Sequence, residues 1–267
     1  MLIHKILKRL LRRALGKDRR FGWIKQEKDK RDFIKIPRTK IMVERPEKAS
    51  LEDKMPFIYD QLELGSCVMN ATYAACHYFY WLHGKAFMPS RLFGYYWARW
   101  LMGWWYVFFD SGSTIRAGIK AAAKYGTCHE ELWPYVIDKF RMRPDKKAQE
   151  DGLNFQVLKY EAVVNLPEHI ESCIAEGCPV VFGMLLYESF VSEQAAITGI
   201  IPIPNRNSEK ILGGHAMLIV GYDRKRNKYR VRNSWGEDWG MKGYCEIDYE
   251  TITKDAADLW VIYVVEQ

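Results

Sequence analysis

Apolar residues recur along this chain in two rhythms, a helical one before about residue 155 and a strand-like one after it. In residues 2–15, Leu2, Ile3, Ile6, Leu7, Leu10, Leu11 and Ala14 fall on one side of a helical wheel. Lys5, Lys8, Arg9, Arg12 and Arg13 fall largely on the other, which predicts a basic amphipathic helix within residues 1–20. Residues 21–55 are rich in charge, carry Pro37 and Pro46 and show no sustained period, as an extended connector or a pro-segment would. From Pro56 the pattern tightens. Ser66–His83 predicts a helix closed by Gly84, with Ala71, Ala74 and Ala75 allowing a neighbour to pack closely. The aromatic run Phe93–Phe109 reads as core and interlobe packing, and Ser113–Tyr125 as another helix ending at Gly126. Val180–Leu186, His215–Tyr222, Tyr229–Asn233, Gly243–Ile247 and Leu259–Val265 read as strands, with a turn at Arg224–Asn227. Helices first and mostly antiparallel strands later make an α+β arrangement of two lobes, about 56–150 and 151–267, with a cleft between them.

Composition narrows the class. With 48% hydrophobic residues and no long polar tract or internal repeat, the chain fills a real core rather than remaining disordered. No apolar run approaches the roughly 18 residues of a membrane span. The cations within residues 1–16 interrupt the apolar stretch that a secretory signal needs, so the expectation is a protein working inside a cell or a virus particle. The net charge of +7 divides unevenly: residues 1–54 contribute +10 and the remainder −3. The basicity belongs to the extension, not to the rest of the chain. Six cysteines lack the paired spacing of a zinc site, so no metal is expected, and a chain of this length needs no disulfide staples. One thiol is expected to be reactive and most of the others to be small buried hydrophobes.

Three residues carry candidate chemistry. Cys67 follows Gly65-Ser66 in the first turn of a helix, where unpaired N–H groups and the helix dipole favour a thiolate. The bland alternative is an inert buried cysteine. His215 stands in Gly213-Gly214-His215-Ala216 at the head of an apolar strand, and Asn233 ends a later strand, where it could accept the proton on the far ring nitrogen. A core histidine and a turn-forming asparagine are the alternatives.

Together these pieces are specific. Gln61-Leu62-Glu63-Leu64-Gly65-Ser66-Cys67, then Gly214-His215-Ala216, then Asn233-Ser234-Trp235-Gly236 running on to Gly243-Tyr244, closely resemble the papain family of cysteine proteases from about residue 56 onward. Gly22-Trp23, Asp32 after Arg31, Asp110-Ser111-Gly112 and Leu132-Trp133-Pro134-Tyr135 resemble its bacterial and viral members more than lysosomal cathepsins. The resemblance implies a helical left lobe, a barrel-like right lobe, peptide-bond hydrolysis through a thioester, no cofactor, and a peptide or protein substrate. It implies Cys67 as nucleophile, His215 as base, Asn233 as its orienting partner, Gln61 with the Cys67 N–H as oxyanion donors, and Trp235 as a shield for the histidine. Gly65, Gly112, Gly183, Gly214 and Trp235 would line the substrate cleft, and the missing side chains of Gly183, Gly213 and Gly214 would leave room for a large apolar substrate residue. Two departures stand out. Val68 replaces the usual tryptophan after the nucleophile, and Leu64 and Asp110 stand where secreted members form a disulfide.

Other readings use the same residues differently: a papain-like amidase or acyl transferase, or a silent peptide-binding pseudoprotease. The extension adds its own: an anionic membrane surface or nucleic acid held through residues 1–20, or a strand lying in the cleft until it is displaced.

Overall fold

The helix expected over Ser66–His83 forms as α1, Cys67–Leu82, and every residue from Cys67 to Tyr80 is buried. A helix apolar all round must be covered all round. In the computed structural model, which describes residues 19–37, 44–85 and 87–264, that cover comes from α2 (Arg91–Met102), α3 (Ile115–Lys124) and the sheet. Hydroxyl caps start both of the covering helices: Ser90 accepts from the Phe93 N–H and Thr114 from the Ala117 N–H. Close approach needs glycine at Gly94, where a Cβ would stand 2.6 Å from the Tyr73 ring.

The right lobe is one antiparallel sheet in the order β2-β7-β3-β4-β5-β6. Its strands are β2 (Lys159–Ala162), β3 (Val180–Tyr187), β4 (Ile211–Asp223), β5 (Lys228–Arg232), β6 (Tyr244–Asp248) and β7 (Ala256–Tyr263). The strand β1, Lys48–Ser50, pairs with Gly221–Asp223 of β4, so the sheet takes in residues that the sequence pattern placed in the extension. Three residues in a charged stretch show too little alternation to be read as a strand. The short helices α4 (Lys146–Gly152), α5 (Pro167–Ala175), α6 (Glu193–Thr198) and α7 (Tyr249–Asp255) were invisible for the same reason. The expected helix at residues 2–15 lies outside the described residues. Among the described residues no helix is long and apolar enough to cross a membrane, and all six cysteines are buried with no disulfide joining any of them.

The aromatic run Phe93–Phe109 divides, against the expectation of a core throughout. Phe93, Tyr95, Tyr96 and Trp97 are buried; Trp100, Trp104, Trp105, Phe108 and Phe109 are exposed. Fully buried Arg99 fixes the exposed turn, donating to the carbonyls of Tyr95, Val107, Phe109 and Phe140. Arg99→Ala strands those carbonyls without a donor. We expect it to lower stability by about 2–4 kcal/mol, read as a drop in the denaturant midpoint, since each buried group left unpaired costs roughly 1–3 kcal/mol.

Candidate active site

The start of α1, the middle of β4 and the end of β5 meet at the boundary between the lobes, and they bring Cys67, His215 and Asn233 into one buried cluster. The His215 Nε2 lies 2.8 Å from Asn233 Oδ1. The Ser234 backbone N–H also donates to that Asn233 atom at 2.8 Å, which identifies it as the amide oxygen. The Nε2 therefore carries the proton, and Nδ1, which has no hydrogen-bond partner, is the bare nitrogen. Trp235 covers the pair, its ring 5.1 Å from the imidazole, with Phe190 and Trp239 packed behind it.

Gln61 is brought to the same place. Its Oε1 accepts from Ser234 Oγ at 2.7 Å, which turns the amide NH2 the other way. One Nε2 hydrogen goes to the Leu64 carbonyl at 2.9 Å and the other to the Arg20 carbonyl at 3.1 Å. Beside it, the Asp110 carboxylate accepts from the Gly65 N–H at 3.0 Å and from Tyr95 Oη at 2.6 Å. A polar link thus joins the two segments where a disulfide was expected to be missing.

The cleft is filled by the chain's own residues 19–24. Gly22 crosses so closely that a Cβ there would stand 1.8 Å from the Gly65 carbonyl oxygen, and one on Gly112 would stand 2.1 Å from the Gly22 oxygen. The Ser113 N–H donates to the Gly22 carbonyl at 2.8 Å and the Ile24 N–H to the Ser113 carbonyl at 3.0 Å, a parallel bridge to the left lobe. From the right lobe, the Gly214 carbonyl accepts from the Trp23 N–H at 2.9 Å. Arg19 pairs with Asp60 and donates to the Trp235 carbonyl, and Arg20 pairs with Asp110. Phe21 lies edge-on to the His215 ring at 6.2 Å.

Trp23 fills the space that Gly183 and Gly214 leave open; a Cβ on either would overlap its ring or backbone. The indole N–H ends on Asp258 Oδ2 at 3.1 Å, and the Gln26 N–H donates to the same oxygen. Burial raises the Asp258 carboxyl above its ordinary value, opposed by these two donors. The sequence reading missed Asp258 altogether. A lone aspartate among Ala256, Ala257 and Leu259 of a terminal strand carries no spacing signal.

This cover sets the electrostatics. Burial pushes the Cys67 thiol up to about 11, although backbone N–H groups of Ala216, Gly22, Val68 and Cys67 itself pull the other way. Burial likewise lowers His215 to about 4, against the raising effect of Asn233 and with a further lowering from the Arg19 cation. The helix N-terminus was expected to yield a thiolate, yet with the cleft filled the cost of burying charge wins and both groups stay neutral.

Comparison with known proteins agrees with this architecture. Residues 110–258 match the family described as papain family cysteine protease. An uncharacterized peptidase C1-like protein of Acanthamoeba polyphaga mimivirus is 34% identical over 275 residues, covering 92% of this chain and 88% of its own length. The crystal structure of xylellain, a cysteine protease from Xylella fastidiosa, superposes with a TM-score of 0.85 at 35% identity over 92% of this chain and 96% of that one. The procathepsin B S9 of Trypanosoma congolense shares the fold at 16% identity, with a TM-score of 0.69 over 95% of this chain and 89% of its own. On these grounds the chain belongs to the papain family of cysteine proteases and is a cysteine peptidase, a hydrolase.

Proposed function

We propose that the protein is a cysteine endopeptidase in which Cys67 attacks the peptide carbonyl, and that it is held latent by its own residues 19–24. The observation that carries this reading is the bare, unpartnered Nδ1 of His215, oriented through Nε2 by Asn233 beside the first turn of α1. Once the cleft is open, the Cys67 thiol passes its proton to Nδ1 and the sulfur bonds to the carbonyl carbon. The Nε2–H to Asn233 bond stabilises the imidazolium so formed. Negative charge on the carbonyl oxygen meets the Gln61 amide, the same Nε2 that now holds the Arg20 carbonyl, and the Cys67 N–H of the helix start. The imidazolium protonates the leaving amine as the C–N bond breaks. Water, deprotonated by His215, then hydrolyses the thioester and frees the sulfur.

Latency rests on the same contacts. With Phe21 and Gly22 over the site, the thiol is protonated at neutral pH. The sign is direct: a thiol raised to about 11 becomes thiolate only as pH climbs toward that value, and uncovering it removes the burial that raised it. Iodoacetamide should therefore alkylate Cys67 of the intact chain slowly at pH 7 and faster into the alkaline range. In an uncovered chain the alkylation should be fast already near neutrality and should extinguish peptidase activity in step with labelling. Rapid labelling of the intact chain at pH 7 would contradict latency.

We further propose that substrate side chains enter the space held by Trp23, which would then admit large residues, with Asp258 at its end favouring those that carry an N–H donor, such as tryptophan or arginine. Asp258→Ala should lower kcat/KM for such peptides by about 10- to 100-fold, the worth of a hydrogen bond to a charged group, and leave leucine-bearing peptides nearly unchanged. Equal losses on both peptides would remove Asp258 from specificity.

A further inference from the structure

We infer that the exposed aromatic turn of the left lobe is a docking surface for an anionic membrane. Trp104 is 60% exposed and Phe109 64%, and Trp105 and Phe108 are both more than half exposed. Trp104 packs edge-on against both Trp105 and Phe108, so the rings form one projecting cluster rather than scattered residues. Apolar clusters of this kind are rare on soluble surfaces unless something covers them, and tryptophan and phenylalanine are the side chains that settle at a bilayer interface.

The turn is held rigidly and carries a charged rim. Buried Arg99 bonds the carbonyls of Val107 and Phe109 on one side and of Phe140 on the other, which fixes the aromatic turn beside residues 137–143. That neighbouring stretch exposes Met142 together with Arg141 and Arg143, and neither arginine takes part in an ion pair among the described residues. The guanidinium of Arg143 lies over the Trp97 ring, next to Trp100. Residues 138–147 hold five cations against two acids. Apolar rings beside Arg141 and Arg143, two exposed cations without an ion pair among the described residues, match the chemistry of an anionic bilayer surface.

Charge decides among the occupants. The chain's own residues 2–15 offer an apolar face, but their Lys5, Lys8, Arg9, Arg12 and Arg13 carry the same sign as the rim. A second copy of the chain would bring the same cations face to face. An anionic bilayer accepts both at once, since residues 1–18 directly precede Arg19 and Arg20 in the sequence and Arg20 is tied to Asp110, the residue after Phe109. The two elements would then act as two weak anchors of one attachment, as stable membrane association requires.

The test is co-sedimentation of the full-length protein with vesicles of phosphatidylcholine alone or of phosphatidylcholine mixed with phosphatidylserine. Two variants are compared, Trp104→Ser/Trp105→Ser/Phe108→Ser and Arg141→Glu/Arg143→Glu. The wild type should pellet with the phosphatidylserine vesicles only, and each variant should bind them at least about tenfold more weakly, as losing cations worth several-fold each predicts. Thermal melting of each variant checks the fold, and if the aromatic variant melts abnormally the charge variant decides alone. The proposal is overturned if the wild type stays in the supernatant, or if properly folded variants pellet like the wild type, which would leave residues 1–18 as the only anchor. It is equally overturned if the aromatic variant instead loses self-association or leaves binding to duplex DNA as the only anionic interaction.

Discussion

Replacing Phe21 and Trp23 together by alanine in the full-length chain should raise peptidase activity by about 100-fold or more. The two rings occupy the spaces beside His215 and against Gly183 and Gly214, and burying each contributes roughly 1.5–3 kcal/mol to keeping the segment in place. Losing both shifts the equilibrium between covered and open cleft by at least two powers of ten, limited only when most molecules are open. Arg19→Ala should act in the same direction but less strongly. It removes the pair with Asp60 and the bond to the Trp235 carbonyl without emptying either space. The measurement is initial rate on a fluorogenic peptide, with the melting curve recorded alongside. Unchanged activity in a folded double variant would mean that the segment covers the site without controlling it.

The second large effect lies in the cluster itself. His215→Ala should lower kcat by several powers of ten, because in the proposed mechanism it removes both the acceptor of the thiol proton and the donor to the leaving amine. Asn233→Ala and Gln61→Ala should cost less, about 10- to 1000-fold, since each removes an orienting or oxyanion contact and leaves the reacting groups in place. The two should differ in kind. Without Asn233 the imidazole loses the acceptor that fixes its tautomer, so the pH dependence of kcat should shift. Gln61→Ala should lower kcat without moving that profile. Matching pH profiles in the two variants would argue against the separate roles.

The site was more legible in the sequence than its surroundings. Cys67, His215, Asn233, Gln61 and Trp235 stand in short, ordered strings whose residue types depend on chemistry, and the structure gathers all five. The long helices α1 and α3 and the strands β3 to β7 carried enough period to be read, with ends within a few residues except at β4 and β7. The aromatic run failed because a buried helix followed by an exposed turn has the same composition as a continuous core segment. Asp258 failed because its partner, Trp23, lies 235 positions away, and no local pattern records a contact of that span. The role of residues 19–24 was open for a related reason. Charge and the prolines Pro37 and Pro46 marked residues 21–55 as an extended segment, but only the fit of Gly22 against Gly65 and Gly112 places the start of that segment in the cleft.

The central claim is that Cys67 cleaves peptide bonds. The direct measurement is digestion of a peptide library by the Phe21→Ala/Trp23→Ala chain and by the same chain carrying Cys67→Ala, with cleavages mapped by mass spectrometry. The account predicts internal cleavages by the first protein and none above background by the second. Equal cleavage by both proteins would contradict it.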